Sequence, residues 1–216
     1  MRVFSIAFTL PMFLLLFSCK RDGKKLEFVQ RERMEGEAEV NPMVEELDSA
    51  KNLAILATLQ ELLDDSLVFH DAETGNLFTL GVTGTDQTRI KGGLTLGDEY
   101  AVLLDQNNNS IELAINLRGL SGKWFYDLEQ HRGFKFEWNG IISSINTEDI
   151  SFREWKLLNG HLYIYYLTHD MVSPDRHEYL VEPAEILVLD KDNFTFQFLG
   201  HIYECHRQKE VIKMEF

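Results

Sequence analysis

The chain is poor in the residues that staple or interrupt a fold. It has two cysteines, Cys19 and Cys205, and four prolines in 216 residues. Two cysteines allow at most one intramolecular disulfide, and they form no paired motif with metal-ligand spacing. The fold must therefore be held by its core. Basic residues are scarce beside acidic ones: 21 Lys and Arg against 35 Asp and Glu leave a formal charge of −14. Nucleic-acid binding rests on Lys and Arg neutralising phosphates, so that class is set aside. The excess acid reads as a solubilising surface. The sequence also lacks a Gly-x-Ser-x-Gly elbow, a phosphate-binding glycine loop, a His-Glu-x-x-His helix and an acidic calcium loop. The expectation is a protein that is not an enzyme and holds no cofactor and no metal.

What is present begins at the N-terminus. Arg2 precedes an apolar run from Val3 to Phe17, then Ser18-Cys19-Lys20. A positive charge, an apolar stretch and a small residue before a cut form a secretory signal. The run is shorter than the roughly 20 residues of a spanning helix, and Pro11 inside it suits a signal better than a stable helix. Leu16-Phe17-Ser18-Cys19 resembles the lipobox of bacterial lipoproteins, although Phe17 is larger than the usual occupant of its slot. The resemblance implies cleavage before Cys19 and acylation of its sulfur, which would make the membrane a partner through the lipid. Two acyl chains anchor stably where one is marginal. Removing residues 1–18 deletes Arg2 and no acid, so the mature charge becomes −15. Residues 20–46 are dense in charge and read as a mobile tether.

Leu53 to Phe69 admits two readings. Leu53, Leu56, Leu59, Leu62 and Leu63 suit a helix, with Asp48-Ser49 as its cap. Ile55, Ala57 and Leu59 alternate as in a strand, with Asp64-Asp65-Ser66 as a turn before Leu67-Val68-Phe69. Beyond this segment the signals are β. Asp71–Asn76 is a turn with Gly75 placed for positive φ, and Glu99–Leu104 and Ile111–Leu117 follow as strands. In the second half, Gly122–Leu128 leads to Phe134–Trp138, the hairpin signal Asn139-Gly140 and Ile141–Ile145. Phe152–Leu158 and His161–Thr168 flank a second Asn-Gly at Asn159-Gly160. Glu178–Leu189 carries Pro183, which points to an edge or a bend. Phe194–Leu199 and His201–His206 complete up to eight consecutive antiparallel strands, an up-and-down barrel pattern.

Several residues carry a family resemblance: Gly122-Lys123-Trp124, then Ser144 and Asn146 within Ser143–Asn146, then Trp155-Lys156, then Asn159-Gly160. From about Leu120 to His206 the chain is similar to the lipocalin-like domain of Bacteroides-group lipoproteins. Leu77–Leu80 and Gly93–Asp98 resemble the small β domain that comes first in such proteins, which favours strand–turn–strand over helix at residues 55–69. The resemblance implies an all-β chain: a signal peptide (1–18), a lipidated charged tether (19–50), a small β-barrel or curled sheet (51–118) and an up-and-down lipocalin-like barrel (119–216). It implies an envelope location, and the basic Lys20–Lys25 stretch suggests the periplasmic side of the outer membrane. It names no agreed activity, and a fold alone does not supply one.

An eight-stranded barrel is just wide enough to be filled by side chains or to hold one small ligand. Phe134, Phe136 and Trp138 share one face by alternation, and Phe194, Phe196 and Phe198 share another. Pointing inward, they either fill the barrel or line a pocket for an apolar ligand. The partner is then a small apolar molecule or, with a solid barrel, another envelope protein. Asp127–Arg132 and Asp170–His177 would rim the mouth. Trp124 reads as a plug at the barrel floor, with Arg207 stacked on its ring. Cys205 reads as buried. His201 and Cys205 are about 13 Å apart on a strand, too far to share an ion, and His169, Asp170 and His177 flank one loop.

Overall fold

The computed structural model describes residues 42–82, 86–105, 107, 110–129, 131–147, 151–169 and 177–207. The expected signal peptide, Cys19 and most of the expected tether lie outside these residues, as does the loop 170–176.

Ala57 and Leu59 are buried on the same face as Leu67, Phe69 and Tyr100, while Leu62 and Leu63 are exposed. A period of two satisfies that burial and a period of 3.6 does not. The segment is accordingly β1 (Ile55–Leu62) and β2 (Ser66–Asp71), antiparallel, with the Leu63 N–H donating to the Ser66 carbonyl at 2.9 Å. The Asp71 carboxylate then sets the next turn. It accepts the Glu73 N–H at 2.7 Å, the Thr74 N–H at 3.1 Å and the Thr74 hydroxyl at 2.7 Å. Burial works to raise its pKa, but these hydrogen bonds outweigh it and hold the carboxyl below its ordinary value. With β3 (Leu77–Gly81), β4 (Ile90–Lys91), β5 (Glu99–Leu104) and β6 (Ile111–Asn116), they form a sheet in the order β3-β2-β1-β5-β6-β4.

The second sheet has eight strands: β7 (Gly122–Asp127), β8 (Arg132–Phe136), β9 (Ile142–Ile145), β10 (Ser151–Leu158), β11 (His161–His169), β12 (His177–Leu189), β13 (Asn193–Phe198) and β14 (His201–Arg207). Its order is β10-β11-β12-β13-β14-β7-β8-β9, antiparallel throughout. First and last strands of the run pair through His206↔Phe125 and Arg207↔Trp124. Between β9 and β10 the wall is joined by the Ile141↔Glu154 bridge and by the Trp155 N–H on the Gly140 carbonyl at 2.7 Å. The result is a nearly closed antiparallel barrel. Pro183 lies in the half of β12 that pairs with β11 alone among the described residues, a local edge where its missing N–H breaks no ladder.

The two Asn-Gly signals make different turns. Asn159 and Gly160 both have positive φ (52° and 78°) between the paired Leu158 and His161, a two-residue type I′ hairpin. At Asn139-Gly140 only Gly140 is positive, at 87°, and its N–H donates back to Glu137 at 3.1 Å. That is a three-residue loop, with Trp138 and Asn139 inside the turn.

The first sheet is apolar on both faces. Tyr100 and Val102 of β5 belong to its own core, while Ala101 packs with Leu56, Leu113 and Ile115 on the barrel core. Polar ties join the same side. Asn52 donates to the Leu157 carbonyl at 3.3 Å, Lys91 donates to Leu187 at 3.2 Å, and the Gly92 N–H donates to Leu189 at 2.8 Å. The expected boundary at 118/119 falls inside the short helix α2 (Leu117–Leu120), whose Leu117 and Leu120 are buried in the barrel-side core.

The expected tether needs amendment over its last residues. Pro42–Ser49 is a helix, α1, and Val44 and Leu47 are buried against Leu158, Tyr165 and Val181 on the outer barrel wall. An i, i+3 pair lies on one helical face, and the outward positions of β11 and β12 offer it an apolar seat. Lys156 secures the helix end by donating to the Leu47 carbonyl at 2.8 Å. No helix among the described residues is long and apolar enough to cross a membrane.

Candidate functional site

The up-and-down course of the chain gives the barrel two unlike ends. The hairpins β8–β9, β10–β11 and β12–β13 turn at one end, where α2 enters and the first sheet packs. The connections β7–β8, β9–β10, β11–β12 and β13–β14 turn at the other.

The first end is sealed. Trp124 is fully buried and its indole N–H donates to the Leu120 carbonyl at 2.8 Å. The Arg207 guanidinium stacks over the ring with Cζ 4.1 Å from the centroid, as expected from sequence. The same guanidinium donates to Gly119 at 2.6 Å, Ser121 at 3.0 Å and Lys191 at 2.9 Å. This ties the last strand to the chain entering the first. Gly122 has φ 131°, and a Cβ there would stand 2.5 Å from the Arg207 guanidinium, so the tight approach requires glycine.

Above the seal, aromatic rings stack in two levels. The lower holds Trp124, Phe136, Phe194 and Trp155, with Phe194 5.4 Å from both Trp124 and Phe136. The upper holds Phe134, Phe152, Phe196, Phe198 and Tyr203. Phe134 lies 4.9 Å from Phe152, 5.8 Å from Phe196 and 5.3 Å from Tyr203, while Phe198 lies 5.7 Å from Phe152. Tyr166 reaches Phe198 at 5.5 Å, and Tyr126 reaches Tyr203 at 5.8 Å. These separations are those of favourable edge-to-face and offset pairs. The open end therefore has an aromatic floor with half-buried Tyr126 and Tyr203 at its edge, and Leu128 and Leu199 are exposed on its connections.

Five of the six expected interior residues, Phe134, Phe136, Phe194, Phe196 and Phe198, meet in this stack and are buried. Trp138 does not. It is 39% exposed, because β8 ends at Phe136 and the turn takes Trp138 off the alternating face. The expected signature residues are placed as follows. Ser144 pairs with Phe134 across β8–β9. Asn146 has φ 50° and donates to the His131 carbonyl at 3.2 Å. Trp155 donates to the Glu137 carbonyl at 3.0 Å, closing the β9–β10 seam. Lys156 holds α1. Sequence reading missed Tyr126, Phe152, Tyr166 and Tyr203; extending the period of two from Trp124, Ile164 and Cys205 would have found Tyr126, Tyr166 and Tyr203, whereas Phe152 faces inward only because of a β-bulge between it and Glu154.

Cys205 is buried within the barrel, and burial pushes its thiol from 9.0 up to about 12. His206, its neighbour, is exposed on the opposite face. His169 and His177 are register partners across β11–β12, and Asp170 lies outside the described residues. Among the described residues no group of three or more His, Cys, Asp or Glu is placed to hold a metal ion.

A lipocalin-like family model matches residues 117–201. This segment is similar to that family. The match begins in α2 and covers the barrel almost to its last strand. A solved lipocalin-like protein from Bacteroides thetaiotaomicron VPI-5482 is similar at 21% identity, over 42% of this chain and 97% of the other, with a TM-score of 0.36. No curated protein matches the chain. Small lipocalin-like barrels are typically built to bind small ligands rather than to catalyse.

Proposed function

We propose that this chain is a non-catalytic binding protein of the bacterial cell envelope, held to the membrane by lipid on Cys19 and facing the periplasm. Its lipocalin-like barrel takes a small apolar molecule at the open end. The observation that carries this reading is the asymmetry of the barrel: one end is sealed by Trp124, Arg207 and α2, and the other ends in an aromatic floor beneath apolar and tyrosine edges. Apolar lining with a few placed polar groups is the usual character of a small-molecule site. The ring stack fills the middle of the barrel, so the site is a shallow cup above it rather than a deep calyx.

Mass spectrometry of the organic extract of purified protein tests the binding. A stoichiometric apolar compound is expected. Its absence, together with failure to bind any apolar probe, would sink the reading. Metabolic labelling with a palmitate analogue tests the anchor: the wild type takes up label and Cys19→Ala does not. Retained label in Cys19→Ala would refute acylation at that residue.

A second reading is favoured by one specific observation. Phe194 and Phe196 stack at 4.7 Å and Phe196 and Tyr203 at 5.0 Å, the close packing of a solid core. A side-chain-filled barrel would serve as a protein-interaction module of the envelope, working through its loops and edges.

A further inference from the structure

We infer that the open end selects an organic cation with an apolar body, and that Glu182 is its anchor. This rests on the open end being a binding site and goes on to name the ligand class. Glu182 stands on β12 opposite Ile164, which is fully buried in the barrel core. Its neighbours at the same parity, Leu180 and Ala184, also pack on that core. Side chains two apart on a strand share a face, and directly opposed residues share it too. The Glu182 side chain therefore points into the barrel, an acidic residue between the apolar inward positions Leu180 and Ala184 and across from Ile164.

Its setting suits a cation. Among the described residues Glu182 forms no hydrogen bond and no ion pair, and it is only partly exposed. Tyr166 occupies the diagonal inward position on β11, within reach of a long side chain, and it carries Phe198 at 5.5 Å. A carboxylate beside aromatic rings is the combination that recognises ammonium groups, by charge and by ring face together. Access is provided by the ladder itself. β13 pairs with β12 only from Glu185 to Leu189, so the wall beside Glu182 is free of a β13 partner. Arg132 is the cation of the opposite wall. It lies on β8, four strands from β12 in either direction around the barrel, and stands across from Asp127 in the β7–β8 register. A formal charge of −14 further concentrates cations at the surface.

The test compares octyltrimethylammonium, octanol and octanoate, each below its micelle concentration, by ligand-observed NMR on the full chain. The cation should bind at least about tenfold more tightly than octanol, the gain expected of a quaternary ammonium held over a desolvated ring face beside a carboxylate. Glu182→Gln should erase that preference, bringing the affinity for the cation down to that for octanol. Glu182→Lys should shift it toward octanoate. Glu204→Gln removes an exposed carboxylate that faces outward on β14, and should change nothing. Octanol binding with no cation preference overturns the inference alone. So does a preference that survives Glu182→Gln, or one that Glu204→Gln erases equally. If none of the three probes binds, the binding reading itself fails. Thermal midpoints within error of wild type establish that each variant is folded.

Discussion

The two ends of the barrel use the same residue types for opposite purposes. At the sealed end the polar groups of Trp124 and Arg207 are turned inward on the protein. The Trp124 indole meets a carbonyl, and Arg207 meets three carbonyls and a ring face. At the open end the chain leaves apolar groups in water: Leu128 is 55% exposed and Leu199 43%. Aromatic rings and a charged side chain occur at both. What differs is whether neighbours satisfy them, and this separates a structural seal from a surface able to take a ligand.

The largest expected effect breaks the seal. Trp124→Ala removes a fully buried ring together with the cation stacked on it, and should cost about 3–5 kcal/mol in urea unfolding. A change under 1 kcal/mol would mean that the sealed end is not the stabilising one. Arg207→Met keeps the length and loses the carbonyl contacts, leaving their acceptors unpaired at a cost of about 1–3 kcal/mol. The two losses should sum to more than the double variant shows, since the residues touch.

Cys205 sharpens the comparison from inside the barrel. Its folded thiol holds a proton from 9.0 up to about 12, where an exposed thiol would have lost it. Between those values the native state binds more protons than the unfolded one. Stability should therefore fall as pH rises through that window and be unaffected by this group below it. Cys205→Ala should show a shallower alkaline fall in its thermal midpoint, and the wild-type thiol should resist a maleimide at neutral pH until the protein unfolds. Rapid native labelling would show that the barrel is open to its interior. The smallest effect belongs to the open end. Leu128→Ser and Leu199→Ser should shift stability by no more than about 0.5 kcal/mol while weakening binding of an apolar probe.

The strand run and both Asn-Gly hairpins were legible because alternation and turn chemistry are local signals. Trp138 shows the limit of that reading. Its position obeys the alternation of Phe134 and Phe136, yet a turn begins one residue after Phe136, and nothing in the pattern marks where a ladder stops. The α1 segment shows another limit. Val44 and Leu47 are too few to distinguish a helix from a charged tether until Tyr165 and Val181 are seen to receive them.

Composition and pattern determined a β-rich chain with at most one intramolecular disulfide and an up-and-down run of strands in its second half; the family resemblance added the lipocalin-like barrel and the strands at residues 55–69. Period-two burial and glycine-dependent turns are written residue by residue. Tertiary structure decided which end of the barrel is sealed, that the first sheet packs on it with its second apolar face, and that Glu182 looks inward among apolar neighbours. Those outcomes depend on register between strands far apart in sequence. A one-residue slip in register would turn each of these side chains to the opposite face.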